Sequence, residues 1–146
     1  MKNPKYKYLK FNLSGENNAK QKFDKNETVV RKVPTTTLDE FVKINAYKNI
    51  DLIKMDTEGT ENLILESSSQ VIGSMKPIII CETLFQAIEP ELERIMKSHG
   101  YEFYNHTEEG LVHVESIVRA TDNGVRNCFF VHPSKYSIIE KHVVNK

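Results

Sequence analysis

A chain of 146 residues with 39 % hydrophobic and 27 % charged side chains has the balance of one globular domain able to bury a core, which excludes a disordered or fibrous chain. No apolar run approaches the ~20 residues of a membrane helix, and the N-terminus lacks the apolar stretch of a signal peptide, so a cytoplasmic protein with no membrane partner is expected. The zero net charge hides an asymmetry: nine Lys and Arg face three acids up to Thr36 (+6), and eleven face seventeen from Thr37 onward (−6).

Residues 1–33 are rich in Asn, Lys, Gly and Ser and poor in aliphatics, and read as a basic, weakly ordered N-terminal arm. Tyr6, Tyr8 and Phe11 alternate as in one strand, and Ser14-Gly15-Glu16-Asn17-Asn18 has turn chemistry. The lysines of the arm are dispersed, as on a solvated surface, and no nucleic-acid partner is expected from them. From Pro34 the signals strengthen into a domain that runs to residue 146. Thr37-Leu38-Asp39-Glu40 fits a capping box, with Phe41, Val42 and Ile44 as the apolar members of the helix it opens. A buried strand follows at Asp51–Met55, then a helix from Thr60 to Val71 with Gly73 near its end. Pro77–Cys81, P-I-I-I-C, reads as a central strand covered on both faces and ends in Glu82. A helix over Glu91–Ser98 closes at Gly100, and a strand over Tyr101–Tyr104 leads into a polar stretch. Asn127–Val131 is a last strand stopped by Pro133, and Ile138–Val143 a terminal helix. Strands alternating with helices predict a parallel or mostly parallel α/β sheet with helices on both faces.

The chemistry concentrates at Ile50–Glu61, I-D-L-I-K-M-D-T-E-G-T-E. An apolar run stops abruptly in Asp56, Glu58 and Glu61, spaced around Gly59. A short strand followed by a Gly-containing acidic turn is how an open α/β sheet presents side chains at its ligand edge. Carboxylates there can take a proton, hold a metal, or bind ammonium and hydroxyl groups. Two readings of Glu58 and Glu61 stay open, a ligand site or plain complements to the positive end of the following helix. Cys81 and Cys128 lie in apolar runs and read as buried reduced thiols, neither in a C-x-x-C arrangement. The five histidines show no metal-ligand spacing, and no metal is assigned.

T-L-D-E-F at Thr37–Phe41, the acidic element at Ile50–Glu61 and K-P-I-I-I-C-E at Lys76–Glu82 resemble, in order and spacing, the FkbM family of S-adenosylmethionine-dependent methyltransferases. R-N-C-F-F-V at Arg126–Val131 resembles that family's final strand, so the likeness spans about residues 34–133. It implies a Rossmann-like methyltransferase sheet, in the family order 3-2-1-4-5-7-6 with strand 7 antiparallel. Asp51–Met55, Pro77–Cys81, Tyr101–Tyr104 and Asn127–Val131 then take the places of family strands 4, 5, 6 and 7. It also implies S-adenosylmethionine as cofactor and a small hydroxylated acceptor, such as a sugar or polyketide, methylated on oxygen. Asp56 becomes the first candidate for catalytic base or acceptor anchor, and Glu82 for orienting the acceptor hydroxyl. Glu58, Gly59 and Glu61 become candidates for substrate or cofactor binding, and Lys54 a structural partner for an acid.

The sequence departs from the family in one respect. Gly15 is the sole glycine before Gly59, so no G-x-G stands upstream of the acidic strand to cradle the cofactor. The 146 residues therefore resemble the C-terminal portion of such an enzyme, partial in its sheet (strands 4-5-7-6), and strand 4 is expected to present an open edge prone to self-association. The alternative is an inactive fragment or non-enzymatic binding partner retaining the acceptor-side half of the fold. D-T-E at Asp56–Glu58 also resembles the first motif of DnaQ-like exonucleases. Those need a His followed five residues on by Asp, whereas His99, His106 and His113 are followed at that distance by Tyr104, Leu111 and Val118.

Overall fold

The computed structural model describes the backbone of residues 6–12 and 28–144, and side chains from residue 34 to 144. The chain divides into two compact units, Met1–Thr37 and Leu38–Lys146. In the first, β1 (Tyr6–Asn12) and β2 (Thr28–Pro34) form an antiparallel ladder in the register Tyr6↔Pro34 to Asn12↔Thr28. The alternating Tyr6, Tyr8 and Phe11 fall on β1, while the expected turn at residues 14–18 lies outside the described residues.

The second unit is a mixed α/β layer structure. Its strands are β3 (Leu52–Met55), β4 (Ile78–Glu82), β5 (Glu102–Thr107), β6 (Gly110–Val114) and β7 (Asn127–Val131), in the spatial order β3-β4-β7-β5-β6. β3 and β4 pair in parallel, whereas β4–β7, β5–β7 and β5–β6 are antiparallel. The expectation of a mostly parallel sheet is therefore corrected. β7 enters between β4 and β5 against their direction, and β6 returns on β5 as a hairpin.

β6 lies within the stretch that the sequence presents as polar, because His113 and the Glu108-Glu109-Gly110 corner mask its apolar Leu111, Val112 and Val114. Gly110 is required at that corner. It has φ +140°, and a Cβ would stand 2.7 Å from the backbone oxygen of His142.

Among the described residues four α-helices accompany the sheet. α1 (Leu38–Ile44) begins one residue after Thr37, and α2 (Glu61–Glu66) starts in the acidic turn. α3 (Glu89–Ser98) ends at Gly100 with φ +77°, and α4 is the short Tyr136–Ile139. The continuous helix expected to Val71 is broken at Ser67-Ser68, and the chain resumes as a π-helical turn at Val71–Met75. The serines explain the break. Ser67 Oγ donates to the carbonyls of Leu63 and Ile64 at 3.0 Å each, and Ser68 Oγ to Ile64 at 2.6 Å, so side chains claim oxygens that a helix would use. The resumed turn starts on Asp39, whose carboxylate accepts from the backbone N–H of Gln70 (3.0 Å) and of Val71 (2.9 Å). Asp39 thus caps a neighbouring turn across the fold, a role no local motif announced.

Both sheet faces are covered. One carries the main core, where Ile79, Cys81, Phe103 and Phe130 meet Leu65 of α2 and Leu92, Ile95 and Met96 of α3. Phe103 and Phe130 cross edge to face at 5.4 Å and 84°. The other carries a smaller cluster of Ile78, Tyr104, Leu111 and Val131 under Ile139 of α4. β3 departs from the buried strand expected of it, because Met55 is buried while Leu52 is 57 % exposed. Among the described residues β3 pairs with β4 alone and forms one edge of the sheet. Cys81 and Cys128 are free, buried and directly opposite each other on β4 and β7.

Candidate active site

The parallel strands β3 and β4 end side by side, in register Met55↔Cys81, so the residues that follow each strand meet at one edge. Asp56 follows β3, and Glu82 closes β4. Between β3 and α2 the chain reverses through two consecutive left-handed residues, Glu58 (φ +58°) and Gly59 (φ +84°). A Cβ at Gly59 would touch nothing within 4 Å, so the backbone angle alone demands glycine there. Glu58 has a Cβ and takes this conformation at a cost of about 1 kcal/mol or more. The reversal turns its carboxylate back toward the strand tips. One carboxylate oxygen each from Asp56, Glu58 and Glu82 lies within 4.8 Å of the others.

The three acids differ in surroundings. Asp56 is half exposed and pairs with Lys54 at 3.7 Å, the acid partner expected for that lysine. Glu82 is half-buried. Its burial, the negative charge of Asp56 and a hydrogen bond with it, then the charges of Glu58 and Glu61, hold its carboxyl above the usual range. A carboxyl that holds its proton more tightly and hydrogen-bonds a neighbouring carboxyl forms a coupled pair at the strand tips. Three carboxylates this close also suit a hard cation such as Mg²⁺.

Glu61 stands apart from this trio. It is 1 % exposed, and its Oε1 accepts from the backbone N–H of Thr57 at 2.6 Å and from Thr57 Oγ at 2.9 Å. The acid therefore reaches back from the first turn of α2 and staples the turn that carries Asp56 and Glu58. Thr60 Oγ reinforces the same turn by donating to the Thr57 carbonyl at 3.0 Å. The Oε2 of Glu61 is buried with no hydrogen-bond partner among the described residues. Asn62 Nδ2 donates to Glu91 Oε2, joining α2 to α3.

Residues 2–103 match the methyltransferase FkbM domain. The chain belongs to the FkbM methyltransferase family. The match begins at residue 2, upstream of the likeness at residues 34–133. It ends at Phe103, before β6 and β7. No curated protein and no solved structure matches the chain significantly.

Two buried charges at this edge escaped the sequence reading, Glu89 and Arg119. Glu89 is the first residue of α3, where an acid is ordinary, and Arg119 sits in a loop without pattern. Their side chains are 1 % and 8 % exposed and pair at 2.5 Å, beneath the loop that leaves β4. No spacing rule joins residues so far apart in the chain, and the fold alone brings them together.

Proposed function

We propose that this FkbM chain carries the acceptor-side machinery of an S-adenosylmethionine-dependent O-methyltransferase acting on a hydroxylated small molecule, such as a sugar or polyketide. The observation that carries the reading is the meeting of Asp56, Glu58 and Glu82 within 4.8 Å at the tips of adjacent parallel strands. The order β3-β4-β7-β5 with β7 antiparallel supports it, since it corresponds to family strands 4-5-7-6.

The cofactor supplies an electrophilic methyl group on a sulfonium. The residues present fit that end of it, because carboxylates favour a positive centre, but the 146 residues contain no G-x-G for the methionine and ribose portion. The chain's own residues have clear tasks. Asp56, steadied by Lys54, accepts the proton of the acceptor hydroxyl. Glu82, which holds its own proton more tightly, hydrogen-bonds and orients that hydroxyl. Glu58 adds a further acceptor for neighbouring hydroxyls, and Glu61 keeps the turn in shape through Thr57. Holding the oxygen in line with its target is itself a large share of such catalysis.

The lack of a G-x-G in these 146 residues favours a second reading, in which they bind an acceptor and residues outside them hold the cofactor. Calorimetric titration with S-adenosylmethionine and S-adenosylhomocysteine decides between them. Micromolar binding supports the first reading and makes acceptor screening with Asp56→Ala and Glu82→Ala the next step. A folded chain that binds neither supports the second.

A further inference from the structure

The loop that leaves β4 is held from below by a single guanidinium. Arg119 donates from Nε to Glu89 Oε1 (2.5 Å) and from Nη2 to the Thr83 carbonyl (2.9 Å). Its Nη1 donates to the Val125 carbonyl (2.5 Å) and to Asn123 Oδ1 (3.2 Å). The Phe85 ring lies 5.7 Å from its centre. Thr83 is 2 % exposed, and its N–H donates to the Arg126 carbonyl at 2.8 Å. Gln86, with φ +57°, gives its N–H to the other oxygen of Glu89 at 3.4 Å. One buried cation thus ties both loops at this edge, residues 83–86 and 119–126, and the residue bonded into it directly follows Glu82.

We infer that Arg119, paired with Glu89, is the positioning residue of the acid trio: its fork fixes the Thr83–Gln86 loop and so holds Glu82 facing Asp56. A buried ion pair is a poor device for stability, because desolvation offsets most of its attraction. A planar fork with fixed donors is a good device for setting two carbonyls and a carboxylate at defined places. A lysine in its position keeps the charge for Glu89 but cannot span the carbonyls of Thr83 and Val125 together. The inference rests on the reading of Glu82 as the group that orients the acceptor.

The test compares the 146-residue chain with Arg119→Lys and Glu89→Gln, following the Glu82 carboxyl by NMR titration and the backbone amides by hydrogen exchange. In both variants the Glu82 titration is expected to move down toward that of an ordinary glutamate. The Thr83 and Gln86 amides are expected to exchange about tenfold faster, the loss of one net hydrogen bond. The paired amides of β4 and β7 stay within about twofold. An unmoved Glu82 titration with a loosened loop overturns the inference, and so does a uniform loss of protection across β4. If neither variant gives a dispersed spectrum, the pair serves the fold and not the site, and the inference fails. The readout needs neither cofactor nor acceptor, so failure to bind S-adenosylmethionine overturns the functional reading and not this one.

Discussion

Glu82→Gln tests whether the acid trio stores repulsion. The carboxylate oxygens of Asp56, Glu58 and Glu82 lie within 4.8 Å of one another. Two unit charges at that distance repel by about 0.9 kcal/mol at the dielectric constant of water and about 3.5 kcal/mol at an effective value of ~20. Asp56 is 54 % exposed at its side chain, so screening places each pair near the lower bound. Removing the Glu82 charge then relieves about 1–2 kcal/mol in all, which for a domain of this size raises Tm by about 3–6 °C. Glutamine also keeps an N–H donor for Asp56. The pH dependence follows from the raised carboxyl of Glu82. The folded state holds that proton where the unfolded chain, near the ordinary value of about 4.3, has released it. The wild-type chain therefore loses stability as pH rises from that value through the folded one. Glu82→Gln is expected to be more stable than wild type in urea at pH 7.5 and equal to it near pH 4. A variant equally shifted at both pH values, or destabilised at pH 7.5, refutes the charge argument.

Four further outcomes are expected. Phe130→Ala removes a ring with no exposed surface that crosses Phe103 at the centre of the sheet, and should cost about 3–5 kcal/mol in urea unfolding. Asp39→Ala takes the acceptor from two backbone N–H groups at the start of the π-helical turn and should cost about 1 kcal/mol by the same measurement. Burial pushes the Cys128 thiol up to about 12 and the Cys81 thiol higher still, so a thiol reagent should label neither in the folded chain near neutral pH and both after unfolding. Sedimentation should show concentration-dependent association through the β3 edge, and Leu52→Lys, at a residue 57 % exposed beside that edge, should suppress it.

The elements with strong periodicity were legible. The continuous apolar run of Pro77–Cys81 named its strand, and Gly100 closed its helix. What escaped depended on competition between groups distant or polar. Ser67 and Ser68 read as ordinary helix residues until their hydroxyls bonded backward and broke the helix. β6 hid behind His113 and two glutamates, because a strand at the sheet margin tolerates polar residues. At the candidate site, Asp56 and Glu82 could be placed on neighbouring strand tips through the family resemblance, whereas the approach of Glu58 depends on the left-handed turn at Glu58 and Gly59. Glu61 could not be separated from them, since its turning toward Thr57 depends on where α2 begins. Arg119 and Glu89 were invisible, because nothing in either neighbourhood marks a buried charge.

The place of β7 has a consequence for the order of events during synthesis. β4 and β5 never touch as neighbours, since each pairs with β7, which lies near the end of the chain. As the polypeptide emerges, β3 with β4 and β5 with β6 can form two separate patches, each with an open seam. The seam closes when Asn127–Val131 slides between them and brings Phe130 against Phe103. Such non-local closure makes folding slow and leaves both seams open to other chains in the interval. A nascent chain stalled short of Asn127 should therefore remain sensitive to protease, and full protection should arrive in one step once β7 is free to insert.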